Sequence, residues 1–281
     1  MNSGIPSLKA FTVLLAAISM SFYACNNADK PVKEDSPKSV ANQFSAAADS
    51  LKKLVLVNPD SATYRQQLIQ QLEQDNMIDE ALKENDSLYK KIGDNAVIWL
   101  NKGSLLEAKK DTAGAIDAYE KTIVRQKNLQ EAYIRLINLY TEQKNNRALQ
   151  LIDYMFRNEL AFGVETDLIM FRGIYYGKIK DYNKALTCFD QCINDKYTFM
   201  DAYIEKGALL YEMKKYKESI AVFEKATTVK NSFADGYYWI AKNQEALNNS
   251  KEAIDNYKRA LALDQEFTEA REALKRLGVI K

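Results

Sequence analysis

Residues 96–129 read AVIWLNKGSLLEAKKDTAGAIDAYEKTIVRQKNL. Two amphipathic stretches flank the polar breaker Asp111-Thr112, and each carries a short side chain, Gly103 in the first and Ala115 twelve residues later in the second. After Ala115, Tyr119 and Thr122 follow at spacings of four and three, which puts all three on one helical face. Short residues at a crossing let two antiparallel helices approach to about 8–10 Å, and the aromatic fills the volume beside that contact. A glycine inside a helix costs about 1 kcal/mol against alanine, so Gly103 needs a packing reason, and the crossing supplies one. The stretch reads as helix, tight turn, helix.

The same unit recurs on both sides. A small residue followed by an aliphatic one stands at Ala81-Leu82, Ala115-Ile116, Ala148-Leu149, Ala185-Leu186, Ser219-Ile220 and Ala253-Ile254, at intervals of 34, 33, 37, 34 and 34. Gly173, Gly207 and Ala241 stand twelve residues ahead of their dyads, as Gly103 does. The small-large-small series repeats as Ala185-Phe189-Cys192, Ser219-Phe223-Ala226 and Ala253-Tyr257-Ala260, and Tyr133, Tyr203 and Tyr237 match Trp99. Breakers recur at Asn145-Asn146, Lys180-Asp181 and Asn248-Asn249-Ser250. A period in this range is the mark of a solenoid rather than a single closed core.

A helix–turn–helix unit of 34 residues with these small and aromatic places resembles the tetratricopeptide repeat. The resemblance covers residues 62–267 as units 62–95, 96–129, 130–165, 166–199, 200–233 and 234–267, and implies an all-α, right-handed α-solenoid with flanking capping helices. Its early Trp corresponds to Trp99, its helix-crossing Gly to Gly103, Gly173 and Gly207, and its inter-repeat proline to Pro59 alone. The first unit departs with Asn85 at the aromatic place, the third with Ile137 for the Gly and Ile152 for the aromatic. The 33-then-37 intervals predict a shortened turn near Asn146 and a lengthened loop over 157–166, which contains Phe162-Gly163. Residues 40–61 are expected to supply an N-terminal helix, with Ala47, Leu51 and Leu54 on one face, and residues 268–281 a polar C-terminal cap.

Ahead of the repeats, residues 10–24, AFTVLLAAISMSFYA, form an uncharged run after Lys9, too short for a span of about 20 apolar residues. It ends in Phe22-Tyr23-Ala24-Cys25, which resembles the lipobox of bacterial lipoproteins, though Phe22 and Tyr23 depart from the usual Leu and small residue. The resemblance implies removal of residues 1–24, lipidation of Cys25 and an address in the bacterial cell envelope, on the outer membrane facing the periplasm. Residues 25–39 then read as a flexible tether, with two of the four prolines and six charges.

Composition narrows the chemistry. The chain has no histidine, which excludes histidine triads and histidine metal sites. Without residues 1–24 the charges balance, 38 against 38, so nucleic acid is not the expected partner. Cys188 and Cys192 sit at i, i+4, but Cys192 takes the small place of the packing series, and the pair reads as buried, reduced thiols. No phosphate loop or nucleophile elbow is present, so the expectation is a non-enzyme without cofactor or metal.

Acidic residues recur near the start of successive first helices, at Glu131, Asp167, Asp201, Asp235 and Glu269. Carboxylates there offset the helix dipole, and the same row is a ladder of charge along the array. Three residues on from most rungs lies an apolar side chain, Leu100, Ile134, Met170, Ile204 and Tyr238, expected on the concave side with Asn138. The predicted function is a scaffold that holds a peptide or envelope protein in this groove. The alternative is a surface lipoprotein that stacks glycans or nutrients on Trp99, Trp239 and its tyrosines.

Overall fold

The computed structural model describes residues 44–280, so the expected export signal, Cys25 and the expected tether lie outside the described residues. Among the described residues there are fourteen α-helices and no strands, and no helix is long and apolar enough to cross a membrane. A lone helix, α1 (Ala46–Val57), precedes six helix pairs: α2 (Ala62–Gln74) with α3 (Ile78–Ile92), α4 (Ala96–Ala108) with α5 (Thr112–Arg125), and α6 (Gln130–Glu142) with α7 (Arg147–Arg157). Then follow α8 (Glu165–Lys178) with α9 (Tyr182–Asp195), α10 (Met200–Glu212) with α11 (Tyr216–Val229), and α12 (Ala234–Ala246) with α13 (Ser250–Leu263), before the terminal α14 (Thr268–Arg276). Each helix packs on the next, and α6 on α8, α8 on α10 and α10 on α12, so first helices stand side by side as in an α-solenoid.

The helix crossing explains the glycines. A Cβ at Gly173 would stand 2.6 Å from the Phe189 ring, and Cβ atoms at Gly103 and Gly207 would intrude further into Tyr119 and Phe223. The second-helix aromatic thus occupies the space where a first-helix side chain would be. The third unit reverses the allocation: Ile137 supplies volume from the first helix, Ile152 replaces the aromatic, and both are fully buried. The first unit puts Ile69 on the first helix and leaves the aromatic place to Asn85, also buried. Asn85 donates from Nδ2 to the Ile98 carbonyl at 3.1 Å and accepts from Asn101, so its polar atoms are matched by the next unit.

All six turns within pairs close alike. Asn76, Lys110, Lys144, Lys180, Lys214 and Asn248 take a left-handed conformation, φ 55° to 65°. The amide of the following residue donates to the carbonyl five back, as Lys215 does to Leu210 at 2.9 Å, which is the Schellman closure of a helix end.

The array departs from the sequence expectation at its start, whereas the lengthened loop expected over 157–166 is present. The helix expected from residue 40 has its described start at Ala46, because Ser45 accepts from the Ala48 amide as a cap and donates to Asp75 at 2.6 Å. Between α7 and α8 the chain turns through Glu159 and Gly163, both at positive φ. Gln130 fastens that loop by donating to the carbonyls of Leu160, at 2.7 Å, and Phe162, at 3.0 Å, while the Phe162 ring stays 87% exposed.

Candidate functional site: the first-helix face

The first residues of α8, α10 and α12 and the start of α14 set one carboxylate each in a row: Asp167, Asp201, Asp235 and Glu269. Among the described residues none of the four accepts a side-chain hydrogen bond or joins an ion pair within 4 Å. Desolvation against the neighbouring helices pushes the carboxyls of Asp167, Asp201 and Asp235 above their ordinary value. Asp201 is raised further by Asp167 and Asp235, so adjacent rungs sense each other's charge, and Asp235 by Asp264 and Glu269. Lys196 opposes the effect at Asp167, and a backbone hydrogen bond and then Lys230 oppose it at Asp235.

Behind the row sits Glu205, one turn beyond Asp201 on α10. Burial pushes its carboxyl up to about 7, Asp201 and Glu142 push the same way, and Lys178 opposes them. Lys178 itself pairs with Glu142 at 2.9 Å, so the nearest cation is already engaged. In neighbouring units the place of Glu205 is taken by Phe171 and Trp239, both buried. A carboxylate where both flanking units bury an aromatic is a signal the sequence carries, and the rungs alone do not reveal it.

Toward the C-terminal end the face opens into a hollow of about 490 Å³, lined by Tyr211, Tyr238, Lys242, Glu245, Glu269 and Arg276 among others. The Lys242 ammonium lies 4.5 Å over the Trp239 ring, 5.1 Å over Tyr211 and 5.9 Å over Tyr238. Burial lowers its pKa and Glu245 works against that. Glu245 also accepts from both guanidinium nitrogens of Arg276 and from the Tyr257 hydroxyl at 3.0 Å. Tyr211, Lys242 and Glu245 were legible in principle, since they lie four or seven residues on from Ile204 or Tyr238, on the same face.

The predicted stripe divides. Leu100, Ile134, Asn138, Ile204 and Tyr238 are partly exposed, whereas Met170 is 2% exposed. Met170 is therefore corrected from groove wall to core: it packs in the cluster of Phe199, Ala202 and Tyr203, its unbranched side chain filling the gap between α8 and α10. Trp239 is likewise no open platform, being 7% exposed and stacked on Phe223 at 5.7 Å. Trp99 donates to Asp94 at 2.6 Å and has Lys121 4.4 Å over its ring. Cys188 and Cys192 are buried free thiols, both with raised pKa through burial.

With this geometry in view, residues 96–123, 201–233 and 234–267 match the tetratricopeptide repeat family. These stretches are tetratricopeptide repeats. No curated protein sequence matches the chain. Among solved structures, a tetratricopeptide repeat protein from Parabacteroides merdae is similar over 82% of this chain and 90% of its own, at 22% identity and a TM-score of 0.63. The C-terminal part of a repeat-containing protein from Cytophaga hutchinsonii is similar over 83% and 95%, at 18% identity and a TM-score of 0.57. PilW, described as a widely conserved type IV pilus biogenesis factor, is similar over 76% and 98%, at 15% identity and a TM-score of 0.60. At these identities the likeness is one of fold.

Proposed function

We propose that this chain is a non-catalytic scaffold of the bacterial cell envelope, anchored by lipid on Cys25, whose first-helix face holds a peptide or a segment of a partner protein. The observation that carries the reading is the row of unpaired carboxylates beside the hollow between α12 and α14. Unpaired, partly desolvated charge gains from a partner that supplies the missing counter-charge. The anchor rests on Lys9, the apolar run and Cys25, and an outer-membrane position facing the periplasm is part of the same proposal. PilW shows that the fold occurs in a pilus biogenesis factor, and an assembly role in the envelope is the corresponding reading here. The glycan alternative loses one of its stacking platforms with Trp239 buried.

The test is a photoreactive amino acid placed in turn at Ile204, at Tyr238 and, as a control, at exposed Lys225 on the second-helix side. Irradiation of cells should give discrete adducts at the first two and none at the control. Equal adducts at all three would remove the groove. Cys25→Ala should abolish lipid labelling and release the chain from the membrane fraction, and retention of both would remove the anchor.

A further inference from the structure

We propose that the open side of α1 is a self-association surface, on which a second copy of this chain packs its own α1 antiparallel about a two-fold axis near Leu51. The contact is separate from the first-helix groove and does not depend on it.

In all six units the second helix carries a packing series at its crossing with the first, from Ala81-Asn85-Leu88 to Ala253-Tyr257-Ala260, and every member is 2% exposed or less. The 34-residue period extends this series back to Ala47, Leu51 and Leu54 on α1. There Ala47 is exposed, Leu51 partly exposed and Leu54 40% exposed. α1 turns Ala48 and Val55 toward the core it shares with α2, as a second helix does, and no first helix precedes it among the described residues. The period would put that helix at 28–40, a stretch with Pro31, Pro37, six charges and no apolar spacing. Proline inside a helix removes a backbone hydrogen bond and clashes with the preceding turn, so this is no sequence for an amphipathic first helix. The open face of α1 comprises Ala46, Ala47, Ser50, Leu54 and Val57, all exposed and within about 100° of helical arc.

This face complements itself in one direction only. Its small residues stand in the first half of the helix and its large ones in the second. Antiparallel pairing sets the small half of each copy against the large half of the other, the same division of volume that Gly207 and Phe223 make inside a unit. It also brings each Lys53, at the rim, to the partner's Asp49, one turn away on the same flank. Among the described residues neither Asp49 nor Lys53 joins an ion pair within 4 Å, and Lys52 lies instead over the Phe44 ring. Parallel pairing would oppose Leu54 to Leu54 and Lys53 to Lys53. The far end of the array opposes a head-to-tail contact. α14 is a first helix without its second, but the crossing place held by Gly207 and Ala241 in the preceding units falls there on Lys275, exposed beside Arg271 and Glu272. A second helix from another copy would have to bury that ammonium, so the association closes at two copies.

In cells making the full chain, a short bismaleimide should join Ser50→Cys into a product of twice the chain's mass, with the two substituted residues linked to each other in the digest. Lys225→Cys, on an exposed second-helix face, and Arg271→Cys, on α14, should give no such product. Linkage between Ser50→Cys and Arg271→Cys made together would overturn the two-fold arrangement, and linkage of Ser50→Cys only to a different protein would overturn the second copy. Sedimentation equilibrium of the purified full chain in detergent should show a dimer with a dissociation constant of about micromolar order, as one helix pair implies. Asp49→Lys and Lys53→Asp should each weaken it roughly tenfold by setting like charges together, and the double exchange should restore it. Leu54→Asp should leave a monomer of unchanged helicity. A parent chain that stays monomeric up to about 100 μM, or a folded Leu54→Asp chain that still dimerises, would overturn the proposal. A double exchange no tighter than the single ones would overturn the antiparallel register.

Discussion

Phe223 lies where a side chain on Gly207 would be, and the pair shows how this repeat distributes volume across its helix crossing. Gly207→Ala forces a methyl into the ring and should cost about 1–3 kcal/mol, the usual penalty of overpacking. Combining it with Phe223→Leu should recover a large part of that loss, because the third unit holds Ile137 and Ile152 in the same two places with both buried. Urea denaturation of the two single variants and the double variant measures the coupling, and additive effects would show that the two sites are independent. The polar ends of the second-helix aromatics follow a related rule. Tyr119 and Tyr257 donate to Glu107 and Glu245 at 2.8 and 3.0 Å. The Phe units have Gly177 and Tyr211 at the corresponding first-helix places. The sequence shows the aromatic series plainly, but the matching of hydroxyl to carboxylate became visible only once the helices were paired.

At the scale of the element, the turns between paired helices all end on a left-handed residue, and four of the six are lysines. A side chain with a Cβ pays about 1–2 kcal/mol for that conformation, while glycine is nearly indifferent to it. Lys214→Gly should therefore raise stability by about 0.5–1 kcal/mol after the larger chain entropy of glycine is allowed for, visible as a higher melting temperature in a thermal scan. A lower one would mean that the Lys214 side chain supports the turn. Lysine gives no local hint of this geometry, so the sequence marked the breaks but not their conformation. The lengthened loop after α7 was legible from the 37-residue interval, whereas its fastening by Gln130 depends on a carbonyl some thirty residues away.

Two consequences belong to the whole array. Glu205 is desolvated by its neighbours and repelled by Asp201 on its own helix and Glu142 on α6, with Lys178 of α8 opposing. Its folded pKa of about 7 exceeds the ordinary 4.5, so between those values the folded state binds more protons and stability falls as pH rises, levelling off above about 7. Glu205→Gln should remove that slope and exceed the parent by about 1–3 kcal/mol at pH 8, with little difference near pH 4 in denaturant titrations. An unchanged slope would refute the shifted carboxyl. The terminal helix closes the last core: Leu274 is 1% exposed and packs with Trp239, Tyr257 and Ala270. Leu274→Ala should cost about 2–4 kcal/mol, and hydrogen exchange should show protection lost first in α13 and α14, since each repeat leans only on its neighbours.

The 34-residue period, the helix pairs and the alignment of Asp167, Asp201 and Asp235 are properties of the sequence itself, because intervals of three, four and twelve residues set which side chains share a helix face and which meet at a crossing. Tertiary structure alone decided which of those side chains remain open to a ligand. Met170 and Ile204 hold equivalent places, yet the first is buried and the second partly exposed, and Glu205 titrates near neutrality because of groups on three helices. Accessibility and desolvation are sums over neighbours from other repeats, and no periodicity within one repeat contains them.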